Sequence, residues 1–117
     1  MPALLTLHEA MNAITEAFDE GDGWDRYAWV YIRGDIAEPS CRLHLSHVGD
    51  EEDALINDHG EVMTPFAAEQ QLRRYLEATD FAEVLRVQRQ RKPQSDLADF
   101  ARALDHYRRH DAFATAL

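Results

Sequence analysis

Apolar residues recur at helical spacing near the start of the chain: Leu7, Ala10, Met11, Ile14, Ala17 and Phe18 share one stripe and leave Glu9, Glu16 and Asp19 outward. This pattern predicts a first helix over 6–20. Thr6 followed three residues later by Glu9 fits a capping box, Gly21 fits a helix stop, and Gly21-Asp22-Gly23 makes a turn. The period then changes to two. YAWVYIR, residues 27–33, is aromatic and β-branched, with Tyr27, Trp29 and Tyr31 on one face and Ala28, Val30 and Ile32 on the other. With both faces apolar, this strand is expected to be central or covered on both sides. Residues 34–40 read as a loop, and 41–48 alternate again, Cys41, Leu43 and Leu45 against Arg42, His44 and Ser46. The two runs are expected to pair as an antiparallel hairpin with one face on the helices.

Short apolar runs at 54–56 and 62–63 flank the turn-forming Asn57-Asp58-His59-Gly60, which predicts either a further hairpin or an irregular edge. Thr64-Pro65 opens a helix, with Phe66, Ala67, Gln70 or Gln71, Leu72 and Leu76 as its stripe. Asp80 and Glu83 suggest a second capping box for a helix to Arg89 that buries Phe81, Val84 and Leu85, and Pro93 ends it. Ser95 or Asp96 caps a last helix to about His110, with Leu97, Phe100, Ala101, Leu104 and Tyr107 on one face. The expectation is an α+β domain: an N-terminal helix, a small antiparallel sheet, then about three C-terminal helices.

Length and charge add to this picture. The 117 residues suit one domain spanning 1–117, and a hydrophobic fraction of 45% is ordinary for a globular fold. No apolar run is long enough for a membrane span, the opening residues do not read as a secretory signal, and the single cysteine, Cys41, points to a reducing compartment, so a cytoplasmic protein is expected. The net charge of −10 is divided unevenly. Residues 1–63 hold fourteen acids against Arg26, Arg33 and Arg42, a net −11, whereas 64–117 hold eight acids and nine bases, a net +1. Free nucleic acid is a poor partner for such a surface and a basic protein a better one.

Motifs for chemistry are sparse. The five glycines form no nucleotide-binding fingerprint. His106 and His110 share a helix face, but the glutamate of a zinc-protease motif is missing and Arg108 and Arg109 repel a cation. His44 and His47 point to opposite faces of a strand. The acids at 50–53 are out of register for a calcium loop, and Cys41 sits on an apolar strand face as a small hydrophobe. Arg86, Arg89, Arg91 and Lys92 read as a solvated helical face rather than a nucleic-acid strip. No cofactor, metal or catalytic residue is expected, and the chain is not expected to be an enzyme. The aromatic group Trp24, Tyr27, Trp29 and Tyr31 fits either a sheet packed on both faces or the anchors of a protein interface.

The segments LRRYLEATDFAEVLRVQRQRKP and SDLADFARALDHYRRHDAF, with WVYIRGD and CRLHL before them, resemble a family of small acidic bacterial domains over about residues 27–113. That family is similar to the immunity proteins encoded beside polymorphic toxins, contact-dependent growth-inhibition systems among them. The resemblance implies a protein that binds and neutralises a cognate toxin by occlusion and brings no catalytic residues. Combined with the charge division, it leads to a basic toxin domain, a nuclease above all, as the expected partner, with no direct contact to nucleic acid or membrane. Candidate contact residues are Asp50, Glu51, Glu52, Asp53, Asp58 and Glu61, with Asp22, Trp24 and Asp25. A protein-binding adaptor unrelated to toxins is the alternative, with a small enzyme a distant third.

Overall fold

The computed structural model describes residues 4–21, 26–47, 55–56, 60 and 62–110. Helix α1 (Leu7–Asp19) begins in the expected box: the Glu9 amide donates to Thr6 Oγ1 at 3.2 Å and the Thr6 amide to Glu9 Oε1 at 2.9 Å. Gly21 follows its end at φ +87°, a left-handed backbone that glycine adopts without a Cβ penalty. The helix buries Leu7, Ala10, Met11, Ile14 and Ala17.

Strand β1 (Tyr27–Arg33) is central in an antiparallel sheet, between β2 (Arg42–His47) and β5 (Arg73–Glu77). β3 (Leu55–Ile56) and β4 (Val62–Met63) form a separate antiparallel hairpin. The C-terminal helices are α2 (Pro65–Glu69), α3 (Ala78–Arg91) and α4 (Leu97–His110). The α+β architecture and the doubly covered central strand are as the sequence predicts. One sheet face packs Val30, Ile32, Leu43 and Leu45 against α1, α3 and α4, where Phe81, Leu85 and Leu104 complete the main core. The other face carries a smaller cluster of Tyr31, Met63, Ala67 and Leu72.

Four expectations need correction. The stripe running from Phe66 to Leu76 is not one helix. α2 stops at Glu69, and 73–77 form β5, because pairing with β1 outweighs local helical spacing. The Asp80–Glu83 box is absent: α3 starts earlier, behind Glu77, with no side-chain cap, and Glu83 instead pairs with Arg86. Tyr27 does not share a face with Trp29 and Tyr31. An extra residue on β1 between the pairs Tyr27–His47 and Val30–Leu45 is a bulge that turns Tyr27 towards the main core. The Ser46 hydroxyl serves the backbone there, accepting from the Trp29 amide at 3.1 Å and donating to the Trp29 carbonyl at 3.4 Å, and is fully buried. Leu97, in the first turn of α4, is exposed rather than on its buried face.

The turn into α4 is held by Asp99. Its Oδ2 accepts from the Asp96 amide at 3.1 Å and from Lys92 Nζ at 2.8 Å, its Oδ1 takes Arg102, and its own amide donates to Asp96 Oδ1 at 2.8 Å. Of the two capping candidates, Asp96 therefore caps the helix. The Lys92 ammonium first, then the Asp96 amide, holds the Asp99 carboxyl below the usual carboxylate range. A lowered native value means that this stabilisation is complete above the ordinary aspartate range and is lost as pH falls through the native value. Asp99→Asn is accordingly expected to melt below the unaltered protein at pH 7, with the gap closing as the pH is lowered towards 2. Circular dichroism melts across that range test this, and a pH-independent gap contradicts it.

Candidate functional site

The nine residues chosen from the sequence, Asp22, Trp24, Asp25, Asp50, Glu51, Glu52, Asp53, Asp58 and Glu61, all lie outside the described residues. What is described is the β3–β4 hairpin to which six of them are adjacent in the chain. Asp53 lies two positions before β3, and Asp58 and Glu61 fall between the hairpin's strands. Leu55 pairs with Met63 and Ile56 with Val62. Met63 is 1% exposed and roots the hairpin in the smaller cluster beneath it. Its partner strand behaves differently: Leu55 is 51% and Ile56 73% exposed. Successive strand residues point to opposite faces, so exposure at both positions means that β3 stands clear of the core on both sides. The stretch 50–61 holds six carboxylates and no lysine or arginine. An exposed aliphatic pair is thus embedded in the most acidic part of the chain.

The sequence shows the apolar run at 54–56 but carries no sign of its exposure, so its letters do not mark it as a contact. The aromatic group divides between core and surface. Tyr31 is fully buried, whereas Trp29 is half-buried beneath the Arg74 guanidinium, 3.7 Å from the ring centroid. Tyr27 is half-buried against His47, with ring centroids 5.4 Å apart.

Residues with potential chemistry are engaged in packing. Cys41 is buried, its thiol 3.8 Å from the Ile36 carbonyl, and burial pushes its ionisation up, the reverse of what a nucleophile needs. His44 is buried between the rings of Tyr31 and Phe66. His106 and His110 share a face with ring centroids 4.4 Å apart, but no group of three histidine, cysteine or carboxylate side chains among the described residues could hold a metal ion. The basic run on α3 is engaged locally: Arg86 holds Glu83, Arg89 lies over Phe100, and Lys92 holds Asp99. A groove of about 890 Å³ between α1 and α3 presents Phe18 and Ala82 between charged rims that include this Glu83–Arg86 pair. Among the described residues, no helix is long and apolar enough to cross a membrane. Compared with family models, curated proteins and solved structures, the chain finds no match.

Proposed function

We propose that the chain is an immunity protein, which binds a cognate toxin domain with a basic active surface, a nuclease above all, and neutralises it in the cytoplasm by covering that surface. The observation that carries this reading is the hairpin: Leu55 and Ile56, 51% and 73% exposed, lie within a stretch of six carboxylates. Exposed aliphatic side chains flanked in the sequence by acids suit a cationic partner that also offers an apolar seat. The charges raise the encounter rate and set orientation, while desolvation of the aliphatic pair slows departure. A surface shaped to hold phosphates presents the complementary charge. Fully burying a leucine or isoleucine contributes roughly 1.5–3 kcal/mol, and each of these residues has at least half its surface left to bury.

The test is the double substitution Leu55→Ser and Ile56→Ser. Exposed positions away from packing change stability by about 0.5 kcal/mol or less, so the variant is expected to melt close to the unaltered protein. Toxin affinity is expected to fall roughly 10- to 100-fold, almost all of it in the dissociation rate, because every charge is retained. Surface plasmon resonance against the cognate toxin domain measures both rates. Unchanged dissociation with the fold intact removes the hairpin from the interface.

A further inference from the structure

A second place in the fold is arranged for a ligand of a different kind. The loop after β1, strand β5 and helix α4 line an open-mouthed cavity of about 480 Å³, within the size range of small-molecule sites, roughly 300–1,000 Å³. Its apolar wall is Ile32 and Ile36, both buried. One polar group on its lining is left unsatisfied, and two exposed charges beside it have no ionic partner among the described residues. Tyr75 is 8% exposed, and its hydroxyl is buried with no hydrogen-bond partner, a condition that folded proteins normally avoid. The Asp35 carboxylate accepts one bond, from the Ala37 amide to Oδ1 at 2.9 Å, and has no cation against it among the described residues. The Arg108 guanidinium lies 5.5 Å from the centroid of the Tyr75 ring, and no carboxylate among the described residues pairs with it. Asp105 on the same wall differs, being held by Arg109 at 3.0 Å.

We propose that this cavity binds a small zwitterion, a free α-amino acid, with its carboxylate on Arg108 and the Tyr75 hydroxyl, its ammonium on Asp35, and an aliphatic side chain against Ile32 and Ile36. The charge pattern selects this class. An inorganic anion would meet Arg108 but face the Asp35 and Asp105 carboxylates, and a simple cation would meet Asp35 but face Arg108. A ligand carrying both charges satisfies both sides, and charge-assisted bonds to its carboxylate are the strong kind. A phenol is a donor at neutral pH, and burial pushes the Tyr75 ionisation further up.

The experiment titrates the full chain with L-leucine, chosen for the aliphatic wall, and follows backbone amide resonances by NMR at pH 7. Saturable shifts in the millimolar range or below, centred on Gly34, Asp35 and Tyr75, are expected. N-acetyl-leucine, which lacks the ammonium, and leucinamide, which lacks the carboxylate, are each expected to bind at least about tenfold more weakly. Tyr75→Phe removes only the unsatisfied hydroxyl, so it is expected to keep or raise the melting temperature while weakening leucine binding about tenfold. Asp35→Asn, which preserves the acceptor for the Ala37 amide, is expected to weaken leucine about as much and leave leucinamide further impaired. The proposal is overturned by the absence of saturable shifts with leucine, by either blocked derivative binding as tightly as leucine, by leucine binding that ignores Tyr75→Phe, or by inorganic phosphate binding as tightly as leucine.

Discussion

Replacing Phe81 by alanine is expected to cost about 3–5 kcal/mol. Phe81 is fully buried in the main core, on α3, and that helix packs against α1, α4 and the central strand β1. Removing the ring deletes contacts to the helical layer and to the sheet at once. The walls of the resulting void belong to different elements, so no single shift can close it, and cavity energy adds to the lost transfer energy. Domains of this size hold only about 5–15 kcal/mol in total, so the loss takes a large share of what stabilises the fold. A fall of roughly 10–25 °C in melting temperature is the corresponding expectation. The control is Leu97→Ala on α4, where the side chain is 45% exposed and about 0.5 kcal/mol is the most that should change. Urea unfolding of the three proteins measures these differences. A Phe81→Ala variant as stable as the control would mean that α3 is not the element joining the two layers.

The parts of this fold that could be read from the sequence are those specified by neighbours in the chain. The Thr6–Glu9 box, the stripe of α1 and the alternation of β2 are local patterns, and each formed where it was expected. β5 failed to announce itself for two physical reasons. First, helix α2 ends without glycine. Gln71 takes the left-handed conformation at φ +58°, with the Leu72 amide donating to the Ala67 carbonyl at 2.9 Å and the Gln71 amide to the Ala68 carbonyl at 3.2 Å. That double bond pattern is the usual helix-ending motif, but glycine normally occupies the position that Gln71 fills here. Second, β5 lacks alternation. Between the pairs Val30–Leu76 and Tyr31–Arg74 the register skips Tyr75, and this bulge lets Tyr75 and Leu76, consecutive residues, both enter the main core. With the period of two broken, Leu72 and Leu76 read as helical spacing. Only the partner strand, some forty residues earlier, decides the matter.

The candidate sites divide along the same line. Charge is additive along the sequence, so the acidity of the first half was legible at once. Exposure depends on what an element packs against. Nothing in the letters Leu55-Ile56 says that β3 stands exposed and, among the described residues, is rooted through the strand opposite. The Tyr75 cavity needs a loop, a strand and a helix to bring Asp35, Tyr75 and Arg108 together, and sequence spacing carries no trace of that meeting.

Neutralising Asp50, Glu51, Glu52 and Asp53 together to their amides should produce the largest functional change. The substitution moves the net charge from −10 to −6, since four carboxylates are lost, and it changes the size of no side chain appreciably. If these groups steer the protein onto a basic toxin surface, they act before contact, on the association rate. Steering of this kind raises association by roughly 10- to 1,000-fold, so at low ionic strength the variant is expected to associate about 10- to 100-fold more slowly. The difference should shrink with added salt, because the screening length falls from about 30 Å at 0.01 M to about 10 Å at 0.1 M. Dissociation should change less, in contrast to the Leu55→Ser and Ile56→Ser variant, in which dissociation carries the effect. The two variants therefore separate the charged and aliphatic contributions of the segment 50–56 in a single set of rate measurements. In cells, the fourfold amide variant is expected to remain folded and lose protection against the toxin. An association rate for the unaltered protein that is indifferent to ionic strength sinks the steering mechanism, and full protection by the amide variant moves the toxin contact away from residues 50–53.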